Sequence, residues 1–128
     1  MGKIYTSMGL MSGSSLDGVD VSIIKSDGNK ELMSILDQYF EYDVELVKKI
    51  LNLREKIFNS EKLKEYSKEI KELEREITLF HVKAVKETIE ISKSSIDLIG
   101  FHGQTIFNDP EKKITKQIRR WQVIVSID

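Results

Sequence analysis

The sequence has no cysteine, which excludes a disulfide framework, a thiolate metal site and a cysteine nucleophile, and fits a reducing compartment. No apolar run reaches the length needed to cross a bilayer, and Met1 to Ser7 lacks the apolar centre of a secretory signal. Neither charge is in excess: 20 Lys and Arg face 21 Asp and Glu, a net charge of -1. There is thus no basic field to draw nucleic acid or anionic lipid, and any ligand must be recognised locally. These absences lead us to expect a cytoplasmic chain with no nucleic-acid and no membrane partner. A single proline and a single alanine stand among abundant isoleucine and lysine, as AT-rich codons would produce.

What is present fits one core in 128 residues. Lys3 to Met11 reads as a first strand that ends in the small-residue loop Ser12-Gly13-Ser14-Ser15. Val19, Val21 and Ile23 alternate onto one face of a second strand. Asp27-Gly28-Asn29 signals a tight hairpin turn, and a third strand follows from about Glu31 to Tyr42. From Asp43, a plausible N-cap, the period becomes helical through Val47, Ile50, Leu51, Arg54, Ile57 and Phe58. After Asn59-Ser60 a longer helix is predicted from about Glu61 to Ser92. Its stripe is Leu63, Tyr66, Ile70, Leu73, Ile77, Phe80, Ala84 and Ile91. Ile96 to Phe101 reads as a short buried strand. Three strands, two helices and a strand predict an α/β mixed sheet with helices packed against it.

Two constellations carry chemistry. The run from Gly9 to Asp20 is a glycine- and hydroxyl-rich loop between strands, where backbone N–H groups and small side chains let phosphate oxygens approach. Asp17 would set a carboxylate beside them, able to hold Mg²⁺ directly or through water. It is not a Walker loop, because Val19 follows Gly18 where a lysine would be needed. Local chemistry leaves an ordinary Asp-Gly hairpin equally open. The second run, Gly100-Phe101-His102-Gly103-Gln104-Thr105-Ile106, leaves the end of a buried strand, a common position for ligands. His102, Gln104 and Thr105 offer an imidazole, an amide and a hydroxyl for sugar or phosphate oxygens. A lone His such as His102 is more commonly a buried residue satisfied by the backbone. His81, on a charged helix without an acidic or histidine partner at ligand spacing, reads as packing or surface.

The first run resembles, almost residue for residue, the signature Gly-x-Met-Ser-Gly-Thr-Ser-x-Asp-Gly-x-Asp of the anhydro-N-acetylmuramic acid kinases, with Ser14 where the family usually has Thr. The second is similar to the family's His-Gly-Gln-Thr motif. Asn108 replaces a family His after it, while Pro110 is retained. The resemblance implies a ribonuclease-H-like domain of the actin and sugar-kinase type, of which the chain supplies the N-terminal part of the first lobe. It implies a phosphotransferase of peptidoglycan recycling that uses ATP and Mg²⁺ on 1,6-anhydro-N-acetylmuramic acid, opens the anhydro ring with water and yields N-acetylmuramic acid 6-phosphate. By the same resemblance Gly13, Ser14, Ser15, Leu16, Asp17, Gly18, Val19 and Asp20 serve ATP, with Asp17 as the metal-side residue. His102, Gly103, Gln104 and Thr105 serve the sugar or the cleft wall. The family's catalytic Asp and second lobe lie beyond Asp128, so no catalytic residue is assigned here. A family-type homodimer is compatible with the resemblance, but no residue here argues for it.

The resemblance extends from Gly9 to about Ile118, giving a division into residues 1–118 and a tail, 119–128. Where the family continues Gly-Asp-Gly, this chain reads Arg119-Arg120-Trp121-Gln122. A shifted frame across Trp121 and Gln122 must read glycine, and AT-rich codons make the surrounding residues Asp-Gly-Lys. The expectation is a frameshift in a decaying gene, with the tail poorly ordered or paired as an edge strand. Two rivals accompany the kinase reading: a truncated, catalytically inactive remnant, and a helical interaction module on the Leu63–Ile91 stripe.

Overall fold

The computed structural model describes residues 3–12, 16–101, 103–109, 114–118 and 123–124. Strand β1 (Tyr5–Ser12) pairs antiparallel with β2 (Gly18–Ser26), which pairs antiparallel with β3 (Leu32–Glu41). Helices α1 (Val44–Lys56), α2 (Lys62–Glu65) and α3 (Ser67–Ser92) then carry the chain across to β4 (Leu98–Phe101). That strand lies parallel to β1, with Leu10 opposite Phe101. Beyond it come β5 (Gln104–Asp109), β6 (Ile114–Ile118) and β7 (Val123–Ile124). The main sheet has five strands in the order β3-β2-β1-β4-β7, and β5 and β6 form a separate antiparallel pair. The mixed α/β sheet expected from the pattern is the one observed.

Alternation decides which face is covered. Met8, Leu10, Val19, Val21, Ile23, Ile99 and Phe101 point under the helices and are buried, whereas Gly9, Met11, Asp20 and Tyr39 are exposed. Against the buried face α1 sets Leu46, Ile50 and Leu53, and α3 sets Ile70, Leu73, Ile77, Ala84 and Val85. The stripe proposed for an interaction module is therefore already occupied by the sheet and α1. Its last member differs from expectation. Ile91 is 56% exposed, and Thr88 takes the buried position, its hydroxyl donating to the Ala84 carbonyl at 2.7 Å.

Two further details depart from the pattern. The single long helix is broken at Tyr66, and Asn59 Oδ1 accepts from Lys62 N–H to start the short α2. The β2–β3 connection is wider than a tight primed turn. Asp27 Oδ1 accepts from the N–H groups of Asn29, Lys30 and Glu31, while Gly28 takes the positive φ of 79°. Those bonds, Asn29's first, hold the Asp27 carboxyl below its ordinary pKa. The tail contributes β7, whose Ile124 and Val123 pair with Ile99 and Gly100 at the sheet edge; an edge strand was one of the two arrangements expected.

Candidate functional site

The parallel pairing of β1 and β4 brings the two motifs together. The first leaves β1 after Ser12, two residues beyond Leu10; the second leaves β4 after Phe101, Leu10's partner. Both chains thus emerge at the carboxyl ends of adjacent parallel strands, the position open α/β sheets use for ligands. Gly13, Ser14, Ser15 and His102 lie outside the described residues.

The rest of the first motif divides in two. Leu16 and Val19 are buried in the core, at 5% and 0% exposure, so they have only backbone to offer a ligand. Asp17 and Asp20 are exposed. Asp20 pairs with Tyr39 across β2 and β3, and Asp17 and Glu41 line one pocket with it; desolvation, and then the charges of Asp17, Glu41 and Asp20, hold the Tyr39 hydroxyl above its ordinary pKa. An open pocket of about 440 Å³ beside Asp17 is lined by Leu16, Tyr39, Glu41, Tyr42, Val44 and Val47. Gly18 is required by its neighbours. A Cβ there would overlap the Phe40 carbonyl oxygen and come within 2.9 Å of Glu41 Cα. Leu16 reaches its buried place through a positive φ of 61°, a strained backbone for a branched side chain.

Among the described residues no group of three or more His, Cys, Asp or Glu could enclose a metal ion. Mg²⁺ does not require one, since it is commonly held by one or two carboxylates together with phosphate oxygens and water. The exposed Asp17 carboxylate beside the loop fits that donor set.

In the second motif, Gly103 turns the chain with a φ of 87°, and Thr105 continues into β5 opposite Gln117. Asn108 also lies in β5, opposite Thr115. Gln104 is fully buried, and its Oε1 faces the Tyr42 hydroxyl at 3.2 Å. That hydroxyl donates to Ser12 Oγ at 2.9 Å, and Ser12 Oγ meets His81 Nε2 at 2.7 Å. His81 Nδ1 lies 2.7 Å from the Ile77 carbonyl, and the ring meets Phe101 edge-on at 4.4 Å. Burial lowers the His81 pKa to about 4 and raises that of Tyr42 to about 12. His81, read from sequence as packing or surface, is fully buried and bonded to Ser12, the first-motif residue at which β1 ends. No local signal reveals it, because its partner lies 69 residues away.

A family model described as anhydro-N-acetylmuramic acid kinase matches residues 5–127. The chain belongs to this family. The anhydro-N-acetylmuramic acid kinase of Pelagibacter ubique is 51% identical to it over 127 residues, 99% of this chain and 34% of the relative. That of Agrobacterium fabrum is 36% identical over 125 residues, 92% of this chain and 32% of the relative. That of Rhizobium etli is 35% identical over 124 residues, 92% of this chain and 33% of the relative. The chain spans about a third of the length of the curated relatives it matches. Within the family, the observed sheet is the ribonuclease-H-like opening of the sugar-kinase type. The matched residues include 119–127, so the match lends no support to setting that stretch apart.

Proposed function

We propose that this chain forms one side of the ATP and sugar site of a kinase that phosphorylates 1,6-anhydro-N-acetylmuramic acid. In that reaction water adds at C1 as the anhydro bond opens, and O6 receives the γ-phosphoryl group of ATP, giving N-acetylmuramic acid 6-phosphate and ADP. Gly13 to Asp20 serve the nucleotide, with backbone N–H groups toward the phosphates and Asp17 toward Mg²⁺. His102 to Thr105 serve the sugar or the cleft wall. The observation that carries this reading is the adjacency of the motifs at the carboxyl ends of β1 and β4. Phosphoryl transfer depends on positioning and charge stabilisation, and strand ends fixed side by side in one sheet suit that positioning.

The test is a titration of Mg·ATP into the 128-residue chain, followed by calorimetry and by amide shifts at Asp17 and Gly18. Asp17→Ala is expected to weaken binding about tenfold, the scale of one charge-assisted contact, without changing the melting temperature. Equal affinity in both proteins would remove Asp17 from the nucleotide site.

A further inference from the structure

Tyr42 belongs to neither motif, yet it is bonded to both. Its hydroxyl donates to Ser12 Oγ at the entry of the first loop. Its backbone N–H donates to the Asp17 carbonyl at the exit of that loop, at 3.2 Å. The same hydroxyl faces Gln104 Oε1 in the second motif at 3.2 Å. One residue at the end of β3 therefore grips the loop on both sides and touches the neighbouring motif.

The direction of the hydrogen bonds follows from elementary chemistry. The Ile77 carbonyl only accepts, so His81 Nδ1 carries the ring proton and the neutral ring's Nε2 is an acceptor. Ser12 must then donate its hydroxyl proton to His81, which leaves its oxygen to accept from Tyr42. Tyr42 has one proton and two acceptors before it, Ser12 Oγ and Gln104 Oε1. Exposure is 0% for His81 and Gln104, 4% for Tyr42 and 7% for Ser12, so solvent offers little substitute for a lost partner. The Tyr42 ring is fixed as well, 4.9 Å from that of Phe80.

We propose that Gln104, Tyr42, Ser12 and His81 form a buried relay that holds the two motifs in register, with Tyr42 and His81 as positioning residues of the candidate site. The purpose of that register rests on the kinase reading; the relay itself does not. A change at Gln104 alters how Tyr42 shares its proton, which alters the bond Ser12 accepts and, through it, the bond His81 Nε2 accepts.

The test needs no ligand and uses the whole 128-residue chain with ¹⁵N-labelled histidine. Gln104→Ala is expected to move the His81 Nε2 resonance and to change exchange of the residue 42 amide, which donates to the Asp17 carbonyl, about tenfold, the equivalent of one buried hydrogen bond. In a Tyr42→Phe background, which keeps the ring and removes the hydroxyl, the same Gln104→Ala change is expected to leave both signals still. Packing alone would give equal effects in the two backgrounds. Equal effects, or no response at His81 and the residue 42 amide in the first background, would overturn the relay. Should Tyr42→Phe fail to fold, Ser12→Ala interrupts the same chain, and the His81 response to Gln104→Ala must vanish there too. A null result in the Mg·ATP titration would count against the nucleotide assignment and leave this comparison unaffected.

Discussion

An imidazole sealed from water resists protonation, and His81 makes that resistance measurable. Its pKa falls from the ordinary 6.5 to about 4 because burial penalises the charged ring. Between those values the unfolded chain binds a proton that the folded chain refuses. Stability is therefore complete above pH 6.5, is lost as pH falls toward 4, and changes no further from this group below that. The loss is about 3 kcal/mol at ~1.4 kcal/mol per unit. Denaturant unfolding across that range should show the slope in the native protein and a much flatter one in His81→Gln; identical slopes would contradict the buried neutral ring. The sequence marked as candidates the residues that a local motif can mark: the glycines and aspartates of Gly9 to Asp20 and the Gly-Gln-Thr of the second motif. It did not disclose Tyr42 or His81, because their importance lies in partners 30 to 69 residues away.

At the scale of elements, alternation and helical periodicity reported β1 to β4 and both long helices, since each has one face in a single core. They failed where side-chain bonding or pairing decides. The Asp27 carboxylate widens the first hairpin, Asn59 and Tyr66 split the second helix, and β5 to β7 were not anticipated beyond a general edge strand. The end of α3 offers a clear test of element energetics. Lys93 terminates the helix with φ 54° and ψ 25°, its N–H donating to the Ile89 carbonyl at 2.8 Å. A side chain in this left-handed cap is strained where glycine is not. Lys93→Gly should stabilise the fold by about 0.5–1 kcal/mol, read as a higher urea midpoint at unchanged slope. A lower midpoint would mean that the Lys93 side chain contributes more than the cap costs.

For the molecule as a whole, the sheet order β3-β2-β1-β4-β7 sets two motifs side by side that are about 90 residues apart in the chain. Motif resemblance assigned both runs to one site, and the parallel pairing of β1 and β4 supplied their adjacency; composition and periodicity supplied only the α/β class. The central claim is that these residues form a working side of the kinase site, and grafting tests it most directly. The matched third of the Pelagibacter ubique relative is replaced by this chain, and formation of N-acetylmuramic acid 6-phosphate from ATP and the anhydro sugar is measured, with the 128 residues alone as the blank. The account predicts turnover by the graft that is abolished or reduced at least about tenfold by Asp17→Ala. A folded graft without turnover, or turnover indifferent to Asp17→Ala, would contradict it.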